Sequence, residues 1–201
     1  ITQDITERKQ AEESSFQHQR SINLWSQIAN VFLTSSRDEV FVDVLKTLLK
    51  TLESKFGFFG YIDANGDMVC PAIACEAWEQ HQKQEKIFIL PKVNWEGFWG
   101  RSLIEKRTVI ASENFKIIEE NVLLENAIAT PIVFNEHLVG QFVLANKVGI
   151  YSAEDQALLE NVAKQTAPIL YAIIEDRRQK LAHQKLEDQV LQAQKMEAVG
   201  R

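Results

Sequence analysis

The chain is poor in cysteine, proline, glycine and positive charge. Its 201 residues contain two cysteines, Cys70 and Cys75. That is too few for a disulfide scaffold and points to a reducing, cytoplasmic setting. No apolar run approaches the roughly 18 residues that a membrane helix needs, and no signal-peptide pattern opens the sequence. The expectation is therefore a segment with no direct membrane contact of its own. Lysine and arginine number 22 against 28 aspartates and glutamates, a net charge of −6, with pI ≈ 5.3. This balance argues against nucleic acid or an anionic membrane as the main partner. Nucleophile elbows, phosphate loops and zinc-protease motifs are also missing, so no catalytic residue stands out.

Where the helix breakers fall is more informative than how few they are. Of eight glycines and four prolines, all but Gly200 lie between residues 57 and 168. A glycine costs about 1 kcal/mol and a proline about 3 kcal/mol in a helix interior, so the chain divides into a helical arm, a mixed centre and a second helical arm. Isoleucine, leucine, valine and phenylalanine make up 62 of the 201 residues, well above the roughly 20% below which chains stay disordered. One domain with added elements is expected.

In the first arm Ile22, Trp25, Ile28, Ala29, Phe32 and Leu33 recur at spacings of three and four, an apolar stripe on a helix. Ser35 or Ser36 then caps a second helix with Glu39 as its acidic partner, and Val40, Val44, Leu45, Leu48, Leu49 and Leu52 give that helix a face suited to a sheet. In the centre, residues 56–62 and 68–73 flank Asn65-Gly66, a hairpin signal that calls for positive φ at both turn residues. Further strands are expected at 87–90 and 108–110, a helix over Trp95 to Lys106, and a second hairpin pairing 127–134 with 138–146. Tight connections make the sheet mainly antiparallel. The last helix opens at Ser152 with Asp155 as its capping partner, and buries Leu158, Leu159, Val162, Ala163, Ala167, Leu170, Ile173 and Ile174. Pro168 removes a backbone donor within it and is expected to kink it. Beyond Ile174 its apolar face narrows to Leu181, Leu186, Val190 and Leu191, too thin for a lone helix in water. The expected partner is a second copy of the same helix, in a coiled coil with a slip between Leu181 and Leu186.

Three stretches carry family resemblances. Asp4-Ile5-Thr6-Glu7-Arg8-Lys9-Gln10-Ala11-Glu12-Glu13 resembles the motif that closes a PAS domain and starts its exit helix. Gln194-Lys195-Met196-Glu197-Ala198-Val199-Gly200-Arg201 resembles the opening of a histidine-kinase dimerisation helix. The centre resembles a GAF domain of a bacterial sensor kinase, through Phe56 to Asp63, Trp95 to Gly100, Ala129-Thr130-Pro131-Ile132, Val139-Gly140 and Ala145-Asn146-Lys147. These resemblances imply residues 1–36 as a PAS exit motif and signalling helix, 37–174 as a GAF domain, and 175–201 as a coiled-coil linker into the kinase dimerisation helix. They imply an α/β (α+β) fold with about six mainly antiparallel strands, helices packed on the sheet and long terminal signalling helices. They also imply a homodimer joined through those helices, and a response regulator as partner of the parent kinase. The fragment itself, short of a phosphoacceptor histidine and an ATP-binding domain, is expected not to be an enzyme.

Cyclic-nucleotide-binding members of the family carry Asn-Lys, then Phe, then Asp-Glu. Here Asn146-Lys147 is followed by Tyr151 and Asp155-Gln156, a departure that weakens a nucleotide reading. The Lys147–Asp155 pair that this pattern implies is a structural salt bridge. No Cys-His pair is present to attach a bilin. Three of the four tryptophans fall within 22 residues, and indole rings offer both area and a directed donor to a ligand. On the family analogy Tyr61, Trp78, His81, Trp95, Trp99, Arg101 and Phe142 wall a pocket for an unidentified small ligand, with Asn114 as a further polar anchor. The opposing reading is that the aromatics are ordinary core and the domain a passive dimerisation spacer. A metal site at Cys70, Cys75 and His81 lacks a second cysteine pair, and no cofactor is identified. A thiol redox enzyme using Cys70 or Cys75 needs one of these thiols exposed and acidified.

Overall fold

Ser36 separates the first two helices of the computed structural model, which describes residues 2–36, 39–75, 87–112, 115–116 and 123–199. Its hydroxyl accepts from the Glu39 amide at 3.4 Å and donates to Glu39 Oε2 at 2.7 Å, the Ser-x-x-Glu cap expected from the sequence. The elements run α1 (Thr2–Thr34), α2 (Glu39–Thr51), β1 (Ser54–Ile62), β2 (Met68–Cys75), β3 (Phe88–Leu90), a 3₁₀ turn (Lys92–Asn94), α3 (Gly97–Glu105), β4 (Val109–Ala111), β5 (Phe115–Lys116), β6 (Leu123–Leu124), β7 (Ala127–Phe134), β8 (His137–Lys147) and α4 (Ala153–Val199). Six strands form one antiparallel sheet in the order β3-β2-β1-β8-β7-β4. Strands β5 and β6 make a separate two-stranded ribbon that the sequence did not suggest.

The turn chemistry expected at the first hairpin is found at the second. At the β1–β2 turn Gly66 has φ +85° and Asn65 is not left-handed; the loop is held instead by Asp63 Oδ1, which accepts from the amides of Asn65 at 2.8 Å and Asp67 at 2.9 Å. The two-residue turn with positive φ at both positions lies between β7 and β8, at Asn135 (φ 47°) and Glu136 (φ 65°), matching the right-handed twist of the strands it joins.

The sheet separates two apolar cores. On one face α1, α2 and α4 cover Phe59, Ile128, Phe142 and Leu144. On the other, which we call distal, α3 and β6 cover Phe56, Phe58, Met68, Cys70, Ala127, Ala129, Val143 and Ala145. Helix α2 buries Val40, Phe41, Val44, Leu45 and Leu48. The stripe on α1 differs from expectation: Leu24 and Ile28 are buried, whereas Ile22 and Leu33 are exposed. Leu24 and Ile28 join the core shared with Phe41 and Val44 of α2 and Leu158 and Leu159 of α4. Among the described residues no helix is long and apolar enough to cross a membrane.

Where β8 ends, Lys147 Nζ lies 3.0 Å from Asp155 Oδ2 and donates to the Leu52 carbonyl at 3.3 Å. Asp155 also accepts from the Ser152 amide at 3.1 Å, while its own amide donates to Ser152 Oγ at 3.2 Å. The pair of residues that starts α4 as a capping box is thus also the anchor of the strand before it. Arg20 of α1 adds a more distant contact, 3.9 Å to Asp155 Oδ1. Breaking a buried ion pair by removing one partner costs about 3–5 kcal/mol. Lys147→Met should therefore lower the unfolding free energy by about 3 kcal/mol in urea titration, with an unchanged slope.

Candidate functional site

Small residues make the floor of the distal face. Gly60, Ala127, Ala129 and Ala145 sit on the sheet below α3, and a Cβ at Gly60 would fall 2.6 Å from Met68 Sδ and 2.9 Å from Cys70 Sγ. The roof begins at Trp95, whose indole donates to the Leu90 carbonyl at 3.3 Å and lies under Lys92 Nζ at 6.0 Å. Gly100 lets α3 fold back on that segment, because any Cβ there would stand 2.3 Å from the Trp95 carbonyl carbon. Trp99 and Leu103 then point down into the core.

Two buried hydrogen bonds tie roof to floor. Ser102 Oγ donates to the Ala129 carbonyl at 3.0 Å, and Gln141 Nε2 donates to the Trp99 carbonyl at 2.9 Å. Gln141 is fully buried, yet its Oε1 has no hydrogen-bond partner. A buried acceptor left unsatisfied costs about 1–3 kcal/mol, so this oxygen is a ready anchor for a donor entering between sheet and α3. Gln141 was not singled out in the sequence; the available signal was an amide side chain inside the apolar run of β8.

The structure brings together only some of the residues expected to wall a pocket. Trp95 and Trp99 belong to the distal core. Phe142 and Tyr61 pack on the opposite face, against α2 and α4, and so do not meet the tryptophans. Successive residues of a strand face opposite sides, so Gln141 and Val143, not Phe142, present side chains to α3. Tyr61 stacks beside Phe41 at 5.6 Å and accepts a hydrogen bond from Arg177 at 3.3 Å. Arg101 is exposed on the outer side of α3. Trp78, His81 and Asn114 lie outside the described residues. Pro168 lies on the outer side of α4, which continues through it.

Open clefts occur elsewhere on the body. One of about 340 Å³ lies between the β7 edge and α4, lined by Lys106, Thr108, Thr130, Glu160 and Lys164. Another of about 260 Å³ is bounded by Ile62, His137, Tyr171, Glu175 and Arg178 where α4 leaves the sheet. Among the described residues no cluster of His, Cys, Asp and Glu is arranged to hold a metal ion. Cys70 is buried in the distal core, and desolvation pushes its thiol up to about 12. Desolvation also raises the Tyr151 phenol, against the lowering effect of its 2.7 Å bond with Ser54.

A family model described as a GAF domain matches residues 34–170. No curated protein matches the chain. Solved structures do. The GAF domain from a phosphoenolpyruvate-protein phosphotransferase of Coxiella burnetii is 18% identical with a TM-score of 0.61, over 82% of this chain and 98% of that one. The A. aeolicus nlh2 GAF domain in an inactive state is 16% identical with a TM-score of 0.57, over 80% and 99%. Free methionine-R-sulfoxide reductase from Neisseria meningitidis, in complex with its substrate, has the same identity and TM-score over 80% and 91%. At these identities the likeness is one of fold.

The environment of Cys70 fixes its reactivity. Raising a thiol from 9.0 to about 12 leaves about a thousandfold less thiolate at neutral pH. In a Cys75→Ser background, Cys70 should react with a disulfide reagent at pH 8 only as fast as the protein unfolds. The same shift sets an alkaline limit. Stability from the neutral buried thiol is complete below pH 9 and falls away as the pH climbs toward 12, and Cys70→Ala should flatten that part of the profile.

Proposed function

The chain belongs to the GAF family, and on that premise we propose that it is the sensory or regulatory domain of a two-component histidine kinase. In this reading it sits between a PAS domain and the kinase core, with a response regulator as the downstream partner of the parent protein. Residues 1–36 carry the upstream connection, 37–174 form the sensing body, and 175–201 lead into the dimerisation helix. The body either holds a small ligand on its distal face or relays the upstream signal, and it passes its state on through its terminal helices.

The observation that carries this reading is the course of α4. It begins at the Asp155 anchor, crosses the sheet with Leu159, Val162, Ala163, Ala167 and Leu170 buried, and continues to Val199 as a rod. Along that rod Leu181 and Leu186 are each 58% exposed, and Val190 and Leu191 each 51%. Apolar side chains at these spacings on a projecting helix favour pairing with a second copy. At the other end α1 lies against α4, where Asn161 Nδ2 donates to Ser21 Oγ at 2.6 Å, and exposes Phe16, Ile22 and Leu33. In a parallel homodimer both helices would stand at the twofold axis. A shift between two helix arrangements then needs only a coupling of about 1–3 kcal/mol from whatever the body binds.

The thiol-enzyme alternative draws on the reductase among the structural neighbours. Cys70, neutral and buried, does not serve as its attacking thiolate, which leaves Cys75, whose side chain lies outside the described residues. Native mass spectrometry of freshly purified protein tests the proposal. It should show twice the 23.0 kDa chain mass, falling to the single mass in the Leu181→Glu, Leu191→Glu variant; a variant that stays dimeric contradicts association through the rods. Extra mass of a small molecule on the dimer supports the ligand sensor, and a bare dimer supports the relay.

A further inference from the structure

The last grip of the body on α4 is made by two consecutive arginines. The Arg177 guanidinium lies 5.4 Å from the ring centre of Phe41 and 5.3 Å from that of Tyr61, and its Nη1 donates to the Tyr61 hydroxyl at 3.3 Å. Arg178 Nη2 donates to the Asp63 carbonyl at 3.4 Å, and its Nη1 pairs with Glu175 at 2.7 Å. From Arg178 to Met196 every side chain is exposed, so these contacts stand where the rod leaves the body.

The strand end they hold is in touch with both faces of the sheet. Ile62, between Tyr61 and Asp63, belongs to the distal core with Met68. Asp63 Oδ1 takes the Asp67 amide, and Asp67 Oδ1 takes the Lys92 amide at 2.8 Å. Lys92 opens the turn that leads to Trp95 and the roof of the distal face. An unbroken line of hydrogen bonds and packed side chains therefore runs from α3, through the β1–β2 turn, to the point where α4 emerges. Phe142, Phe59, Phe41 and Tyr61 form a second stack on the helix-covered face, with ring centres 4.6, 4.8 and 5.6 Å apart; it ends on the neighbouring guanidinium of Arg177, so the two routes meet at the β1 end, where Tyr61 adjoins Ile62 and Asp63.

From this placement we infer that Arg177, seated against the rings of both Phe41 and Tyr61, is the coupling point through which the distal face sets the position of the projecting helix. The inference rests on the relay reading above and adds its route. The seat suits arginine: a planar, permanently charged fork lies within cation–π reach of two rings and still donates to a hydroxyl, which a compact ammonium does not do at once. Tyr61 thereby takes the role of a contact to the output helix, in place of the ligand contact suggested by its sequence position.

Hydrogen exchange on the full chain, read in peptides covering residues 171–182 and 155–167, tests it. Arg177→Ala and Arg177→Lys should both speed exchange in 171–182 by about tenfold, with 155–167 and the sheet unchanged. A lysine variant that behaves as the parent overturns the arginine seat, and uniform acceleration across the body makes Arg177 a plain packing residue. The second arm perturbs the distal face by Leu103→Ala, or by Ser102→Ala should the first not fold. In the parent chain this should alter exchange in 171–182; in the Arg177→Ala background it should add nothing. An equal effect in both backgrounds removes Arg177 from the route and leaves the relay standing. No effect in either background removes the relay, and the inference with it.

Discussion

A single carboxylate sets where the long helix begins. Asp155 is almost wholly out of solvent, 4% exposed at its side chain, and a charge in that position persists only where its partners satisfy it. Lys147 supplies the counter-charge from the end of β8, Ser152 supplies an amide from the helix cap, and Arg20 approaches from α1. Lys147 in turn reaches the carbonyl of Leu52, at the join of α2 and β1. Moving any one of these four elements would strand a charge or a carbonyl, so the angle of α4 on the sheet and the seat of α1 are fixed from one place. Beside this group Tyr151 and Ser54 close the gap with a buried hydrogen bond.

Between that anchor and the arginines at residues 177 and 178 the helix is seated on the sheet by packing, with the Asn161–Ser21 hydrogen bond joining it to α1. Gly140 has no room for a side chain, since a Cβ would stand 2.4 Å from the Gly60 carbonyl oxygen and 2.7 Å from Leu170. Leu170 therefore lies directly on the strand backbone. The buried Thr166 hydroxyl has no partner, and Pro168, two residues on, removes a donor from the helix ladder. Charged contacts at the two ends and a smooth apolar seat between them suit a helix that shifts as a unit more than one that melts.

Much of this arrangement is legible in the sequence, and the exceptions have physical causes. The helical arms follow from where glycine and proline are absent, and the capping boxes at Ser36 and Ser152 from local spacing. The sheet follows from short apolar runs separated by turns too brief for crossovers. Which face each aromatic occupies was not legible. Phe142 and Tyr61 fall under α2 and α4, away from Trp95 and Trp99, because alternation along a strand divides its residues between two faces without showing which face meets which helices. Gln141 shows in the sequence only as an amide within the apolar run of β8, and becomes a candidate anchor once its orphaned oxygen is seen. The Arg177 contact with Tyr61 joins residues 116 positions apart, and arginines in a polar helical stretch look like a solvated face until their partners are seen.

The resulting account has a body that holds two rods, with one face of its sheet given to the helices and the other closed by α3. Its central claim is that the rods of two copies run side by side and in register, so that a change in one body reaches its twin at the same height. A nitroxide placed at position 182, in a chain with both cysteines replaced by serine, measures this directly. The account predicts one narrow inter-protomer distance, close to the 8–10 Å spacing of packed helices plus the reach of two labels. A long or broad distribution, or no coupling between labels, would show that the helices do not pair in parallel and would contradict it.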